Sequence, residues 1–147
     1  MNDDHLARVS VHIDSEPMAV WDALVTPEAI QQYMFGATVT SDWTPGSRIV
    51  WAGEYQGRSY EDHGEILLIE PGELLSYTHF SPLTGLPDEP DNYHAVSIVL
   101  DDADDGTTVT LVQDNNSTDE AKQHSERNWA TMLTSLKEYI EGNTRST

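Results

Sequence analysis

The stretch STDEAKQHSERNWATMLTSLKEYIEG, residues 117–142, carries the clearest helical pattern of the chain. Ser117 and Glu120 have the spacing of a capping box, and Gly142 is typical of a helix end. Apolar residues recur at every third or fourth position, so they share one helix stripe: Trp129, Met132, Leu133, Leu136 and Ile140. Because such a stripe needs an apolar surface to cover, the pattern predicts a long C-terminal helix packed on a sheet.

Upstream of this helix the sequence predicts mostly strands. Residues 8–13 alternate apolar and polar side chains, as in a half-buried strand, and Pro17 and Pro27 each open a short helix. Beyond Gly36 the apolar period becomes two, which predicts strands at 37–41, 47–52, 59–69, 73–80, 93–100 and 107–115. Turn-forming residues separate most of these strands, so the sheet is expected to be antiparallel. The fold class is therefore α+β.

Length and composition limit the possible architectures. The chain has 147 residues and is expected to form one domain, 1–147, with a core over about 8–141. No apolar run approaches the length of a membrane helix, and the N-terminus lacks the layout of a secretion signal, so a cytoplasmic location is expected. The absence of Cys excludes disulfides, thiolate nucleophiles and Cys-based zinc sites.

The charge is strongly acidic, with 26 Asp and Glu against 7 Lys and Arg and a net charge of −19. Between Ser59 and Ala121 there is no Lys or Arg. Repulsion therefore argues against binding to nucleic acid or to an anionic membrane surface. Two interpretations of the acidic surface stay open: ordinary solubility, or adaptation to high salt, where the mutual repulsion of the carboxylates is screened.

Several motifs resemble a known family. The segments are PxxVWxAL at 17–24, SDWxxG at 41–46, GEILxIEP at 64–71, LSYTHFSP at 75–82, NYH at 92–94, QDNN at 113–116 and HSxxNW at 124–129. They resemble the START and birch-pollen-allergen (SRPBCC) superfamily. The branch they resemble is AHSA, which is similar to the C-terminal domain of the activator of heat-shock protein 90 ATPase.

The resemblance implies a helix-grip fold. In that fold a curved antiparallel sheet of about six to seven strands wraps around a long C-terminal helix, and two short helices follow the first strand. The superfamily includes ligand binders, cyclases and chaperone-linked domains, so fold alone does not select a function. The eukaryotic activator makes much of its chaperone contact through a separate N-terminal domain that this chain has no room for. Chaperone activation is therefore not implied here.

Strand alternation nominates side chains for the concave face of the sheet, where the helix packs. Tyr77 and His79 share a face with apolar Leu75, and corresponding arguments apply to the other strands. The candidate ligand-binding residues are Trp51, Tyr77, His79, His94 and Gln113 from strands, with Trp129 and Leu133 from the helix. Polar groups that converge in an apolar cleft are typical of a small-molecule site. The alternative is that they satisfy one another as a buried polar network.

Catalytic and metal-binding signals are sparse. His79 and His94 have a residue type suited to proton transfer near neutral pH, yet structural or ligand-contact roles fit them as well. No HExxH pair is present, and no metal ligands, cofactor or catalytic residues are assigned.

Three functions follow from these observations. The leading hypothesis is a domain that binds a small apolar or aromatic molecule without an assigned reaction. The first alternative is an enzyme of the cyclase or aromatase kind that uses the same cavity. The second is a chaperone-associated interaction module that works through its surface. A deep cavity favours the first two functions, whereas a filled core with an exposed apolar patch favours the third.

Overall fold

The computed structural model describes residues 6–34, 36–55, 57–81, 87–89, 92–103, 105–116 and 118–145. It contains seven strands and three helices in these ranges. In chain order they are β1 (Ala7–Ile13), α1 (Pro17–Val25), α2 (Pro27–Tyr33), β2 (Thr38–Ser41), β3 (Arg48–Tyr55), β4 (Arg58–Glu70), β5 (Leu74–His79), β6 (His94–Ala103), β7 (Gly106–Gln113) and α3 (Asp119–Arg145). Among the described helices, none combines the length and the apolar character that a membrane crossing requires.

The strands form one curved antiparallel sheet in the order β1-β7-β6-β5-β4-β3-β2. Apart from β1, neighbouring strands follow one another along the chain, which agrees with the short predicted turns between most of them. The long α3 packs on the concave face of the sheet and also contacts α1 and α2. The predicted α+β helix-grip fold is confirmed.

The core lies between this concave face and α3. On the helix, Leu133 and Leu136 are fully buried, and they face the alternating buried positions of β6 and β7, such as Ile98 and Leu111. Tyr33 of α2 fills the space beside them, since it is buried and its hydroxyl donates to the backbone oxygen of Ala23. The predicted apolar stripe of α3 thus has the partner surface that it needs.

The ends of α3 differ from the prediction in detail. The helix passes through Gly142 to Arg145, so the predicted stop at Gly142 is wrong. Gly142 does not adopt a positive φ there, and without that left-handed conformation a glycine does not terminate a helix. Ser117 of the predicted capping box lies outside the described residues, and Thr118 Oγ1 accepts a hydrogen bond from the Ala121 N–H.

Strands β4 and β5 approach closely at Gly64. A Cβ atom at this position would lie 1.7 Å from the backbone oxygen of Thr78, so only glycine fits. The next residue, Glu65, donates its backbone N–H to Thr78 Oγ1, and His63 forms an isolated bridge with Phe80. This close approach fixes the end of β5, where His79 lies.

Candidate functional site

Three aromatic rings gather on the concave face where β3 and β5 lie near each other. The Trp51 ring centroid is 5.2 Å from that of Tyr77 and 5.0 Å from that of His79. Trp51 and Tyr77 are buried, whereas His79 is half-buried. Burial raises the pKa of the Tyr77 hydroxyl, because its ionised form would lose the solvation of water. The cluster is thus an apolar wall with one titratable imidazole at its edge.

His79 is held by a carboxylate that the sequence analysis did not nominate. Its Nε2 lies 3.0 Å from Oδ2 of Asp62, which projects from β4 opposite Trp51. The second oxygen, Asp62 Oδ1, is buried and has no hydrogen-bond partner among the residues that the structure describes. Burial and the nearby Asp62 charge raise the pKa of Tyr60. Alternation along β4 places Asp62 on the same face as Gly64 and buried Ile66, and this signal could have identified it.

A second group of side chains forms a polar network around Gln113, which is 6% exposed. Its Oε1 accepts a hydrogen bond from Trp129 Nε1 at 2.5 Å. Its Nε2 lies 3.3 Å from Asn116 Oδ1, 3.3 Å from Ser125 Oγ and 3.2 Å from His94 Nδ1. Ser125 also donates to Asn116 Oδ1 at 2.8 Å. The network therefore ties the end of β7 to the first half of α3.

Asn116 and Ser125 are members of this network that the sequence analysis did not nominate. Ser125 precedes Trp129 by one helical turn, so helix geometry places both on one face of α3. Asn116 follows the last strand and also donates its Nδ2 hydrogen to the Gln113 backbone oxygen. Spacing could have pointed to Ser125, whereas the contact of Asn116 depends on how the chain turns after β7.

His79 and His94 are direct cross-strand partners in the β5–β6 ladder, so their imidazoles are neighbours on one face. His94 Nδ1 lies 3.0 Å from the backbone oxygen of Asp114. Within the described part of the chain, His94 Nε2 and His79 Nδ1 have no hydrogen-bond partner. Each ring is thus anchored through one nitrogen and keeps the other available.

The space between sheet and helix is divided unequally. A void of only ≈ 20 Å³ lies in the core beside Trp51, Tyr77 and Met132, so the centre of the fold is filled. An open cleft of ≈ 900 Å³ lies at the first half of α3. A smaller pocket of ≈ 150 Å³ adjoins the aromatic cluster and contains Asp62 and Tyr60. We call the cleft of ≈ 900 Å³ the α3 cleft and the pocket of ≈ 150 Å³ the inner pocket.

The seven nominated residues distribute over these spaces as follows. The α3 cleft is lined by His79, His94, Gln113 and Trp129, and the inner pocket by Trp51, Tyr77, His79 and Trp129. His79 and Trp129 therefore belong to both. Leu133 is 1% exposed and lines neither space, because it packs within the filled part of the core.

A further polar cluster lies on the opposite, convex face of the sheet. The rings of His63, Phe80 and Tyr93 contact one another, and Phe80 and Tyr93 are stacked. The Tyr93 hydroxyl donates to the Asp88 carboxylate, and His63 Nε2 lies 3.0 Å from Asp88 Oδ2. Burial and Asp88 raise the pKa of Tyr93 to about 12.

Metal binding finds no support in the described ranges. There, no three side chains of His, Cys, Asp or Glu come together as a metal site would require. The described lining of the α3 cleft offers hydrogen-bonding groups, the aromatic surface of Trp129 and the imidazoles of His79, His94 and His124.

Comparisons with known proteins agree with the fold. The solution structure of a protein from Cytophaga hutchinsonii is 51% identical, with a TM-score of 0.83 and coverage of 95% of this chain and 96% of that chain. The solution structure of the Aha1 dimer from Colwellia psychrerythraea is 19% identical, with a TM-score of 0.71, covering 92% and 96%. DynU16, a putative protein in the dynemicin biosynthetic locus, is 19% identical, with a TM-score of 0.77, covering 93% and 47%.

The match to a family covers most of the sequence. No curated protein matches at a significant level. The family model described as "Activator of Hsp90 ATPase homolog 1-like protein" matches residues 14–141. This span includes every described helix and strand from α1 to β7 and most of α3. The predicted resemblance is confirmed, and the chain belongs to the family of proteins similar to the activator of heat-shock protein 90 ATPase homolog 1.

Proposed function

We propose that the protein binds a small aromatic or apolar molecule in the α3 cleft. The observation that carries the proposal is the cleft itself, whose ≈ 900 Å³ matches the size of typical ligand sites. Trp129 and Met132 give it an apolar wall, and His79 and His94 add polar groups that fix the orientation of a ligand. DynU16, which shares the fold, is described as a putative protein in the dynemicin biosynthetic locus.

The polar network and the ligand site are not exclusive alternatives. Gln113 is occupied by Trp129, Asn116 and Ser125, as the network interpretation requires. The same bonds hold the indole of Trp129 at the wall of the cleft, where a ligand would contact its ring. The network would thus act as the support of the site.

The binding test uses N-phenyl-1-naphthylamine, a neutral fluorescent aromatic probe, at constant salt. We expect saturable one-to-one binding. Ala121 lines the cleft, so the indole of Ala121→Trp should project from its wall, compete with the probe for contact surface and weaken its binding at least tenfold. Ala130→Trp is the matched control, since Ala130 is exposed on the same helix and does not line the cleft. Equal affinity of the two variants would contradict this location.

A second readout locates the probe independently of its fluorescence. The chain has four Trp, and Trp129 lines the α3 cleft while Trp21 is buried in the core. In a ¹H–¹⁵N NMR spectrum the indole signal of Trp129 should shift on titration, and that of Trp21 should stay in place. Shifts confined to Trp21 would place the probe elsewhere.

The His79–Asp62 pair favours one alternative function, an enzyme that moves a proton on the bound molecule. The ionised Asp62 carboxylate accepts a hydrogen bond from the N–H at His79 Nε2, which leaves Nδ1 as the basic nitrogen. Such a base removes a proton from carbon beside a carbonyl, forming an enolate and an imidazolium. The imidazolium exchanges that proton with solvent and then returns a solvent-derived proton, or a deuteron in D₂O, to the same carbon. With 2-tetralone in D₂O, we would then expect accelerated exchange of the α-hydrogens and a loss of that acceleration in His79→Gln. Exchange at the uncatalysed rate would leave binding as the function.

A further inference from the structure

The walls of the α3 cleft differ in charge from the rest of the molecule. The chain has 26 acidic residues, yet Glu120 is the one carboxylate residue among the described residues that line the cleft. The same lining contains His79, His94 and His124, which are three of the six His of the chain, together with Arg127. Groups that donate hydrogen bonds or carry positive charge are therefore concentrated in one place on an acidic protein.

Most of these donor groups in the cleft are not occupied by a carboxylate. Among the described residues the ion pairs are His12–Asp105, His63–Asp88, His79–Asp62 and Lys137–Glu141. Of the cleft residues, His79 is paired in this way, whereas His94, His124 and Arg127 have no carboxylate within ion-pair distance in the described ranges. Arg8, Arg48 and Arg58 outside the cleft are unpaired there as well, so the cleft is distinguished by the grouping of such donors in one place. An anionic ligand could use these donors without displacing a carboxylate of the described residues.

We infer that the ligand of the α3 cleft is an aromatic molecule with an anionic oxygen, such as a carboxylate, in spite of the net charge of −19. This inference rests on the proposed function. Arg127 is charged at every physiological pH and presents several N–H donors to a carboxylate. The polar network anchors the His94 ring through Nδ1, and its Nε2 has no hydrogen-bond partner among the described residues. Trp129 and Met132 would contact the aromatic body.

The donors of the cleft favour an anionic ligand, whereas the net charge of the protein favours a cationic one. A comparison of ligands that differ in charge therefore tests the inference. The net charge attracts cations and repels anions at a distance, an effect that salt screens within about 8–10 Å. Arg127 is exposed, but its contact with a bound carboxylate would be shorter than this screening length, so salt weakens it less than the long-range effect. At moderate salt the uncompensated donors should therefore decide which ligand binds.

The experiment compares three probes that share one ring and differ in charge: 2-naphthoate, 2-naphthalenemethanol and 2-naphthylmethylammonium. Affinities are measured by calorimetry at pH 7 and 150 mM KCl. We expect 2-naphthoate to bind about tenfold more tightly than the alcohol, and the ammonium probe to bind most weakly. Arg127→Gln should weaken 2-naphthoate about tenfold and leave the alcohol nearly unchanged. Arg58→Gln, which removes the same charge from an exposed position outside the cleft, should alter neither affinity.

Each outcome separates the inference from the proposed function. If the three probes bind equally, or the ammonium probe binds best, the inference is overturned while binding in the cleft stands. If Arg58→Gln weakens 2-naphthoate as much as Arg127→Gln does, the preference comes from net charge and the inference is again overturned. If no probe binds, the proposed function fails and the inference fails with it.

Discussion

Replacing Gln113 tests the network that holds the α3 cleft in shape. Gln113→Ala removes the acceptor of the Trp129 indole N–H and the donor to Asn116 and Ser125. Each lost hydrogen bond costs about 0.5–1.5 kcal/mol, and the lost methylene group adds about 0.8 kcal/mol. The indole N–H lies at the cleft and can recover a water partner, which limits the loss. We therefore expect the free energy of unfolding to fall by about 3 kcal/mol.

The measurement is urea unfolding followed by far-UV circular dichroism at fixed salt, so that the acidic surface contributes equally to every variant. Gln113→Met keeps the volume of the side chain and removes only its hydrogen bonds, so it should cost about 2 kcal/mol. Gln123→Ala is the control, because Gln123 is exposed on α3 and should change stability by less than about 0.5 kcal/mol.

Two outcomes would contradict a stabilising role of the Gln113 hydrogen bonds. If Gln113→Ala unfolds at the same urea concentration as Gln123→Ala, the observed hydrogen bonds do not stabilise the junction of β7 and α3. A loss in Gln113→Ala that Gln113→Met does not share would assign the effect to packing alone.

Three further predictions concern the whole molecule. Leu136 is fully buried between α3 and the sheet, so Leu136→Ala should lower the free energy of unfolding by about 2–5 kcal/mol in the same urea assay, and a loss below about 1 kcal/mol would contradict its role in the core. If the acidic surface is a high-salt adaptation, the Tm in scanning calorimetry should rise substantially from low to molar KCl, and a flat profile would leave ordinary solubility as its explanation. Burial and Asp88 raise the folded-state pKa of Tyr93 to about 12, above its unfolded value near 10, so its contribution to stability is present below pH 10 and is lost between pH 10 and 12. The free energy of unfolding of the parent protein should therefore fall more steeply over that range than that of Tyr93→Phe. Parallel pH profiles of the two proteins would be evidence against this contribution of Tyr93.

The sequence was most informative where one periodicity governs a whole element. Alternation along β5 places Tyr77 on the concave side with Leu75, and the structure has both buried there. The stripe of α3 likewise predicted burial of Leu136. These assignments need only the local geometry of a strand or a helix, because the side-chain directions repeat with a fixed period.

The division of the space below α3 could not be predicted in this way. Leu133 and Trp129 share a helical stripe, yet the first packs in the filled core and the second lines the cleft. The difference arises from α2, since Tyr33 and Met34 occupy the space beneath the middle of the long helix. An α-helix of 27 residues extends for about 40 Å, so only part of its stripe meets this filling.

Alternation along β4 places Asp62 on the concave face, but it does not reveal the contact of Asp62 with His79. The carboxylate reaches His79 because β3 and β5 flank β4 in a particular register, with Trp51 paired to Asp62 and the close approach at Gly64. Sequence periodicity gives the face of each residue but not its partner on a neighbouring strand, and a one-residue slip in register would separate the pair.

The tautomer of the His94 ring links the polar network to the hydrogen-bonding groups of the cleft. Its Nδ1 has two competing partners, the Asp114 backbone oxygen at 3.0 Å and Gln113 Nε2 at 3.2 Å. A neutral ring with the proton on Nδ1 donates to Asp114 and presents a bare Nε2 to the cleft, whereas a ring with the proton on Nε2 accepts from Gln113. Gln113 Nε2 has two hydrogens for three acceptors, so it can follow either state by turning between His94 and the side chains of Asn116 and Ser125. An anionic ligand at Nε2, as inferred above, would select the state in which that nitrogen donates, and the network would adjust without breaking the bond between Gln113 Oε1 and Trp129. The residues that stabilise the junction of β7 and α3 would thereby also set which hydrogen-bonding face the cleft offers to such a ligand.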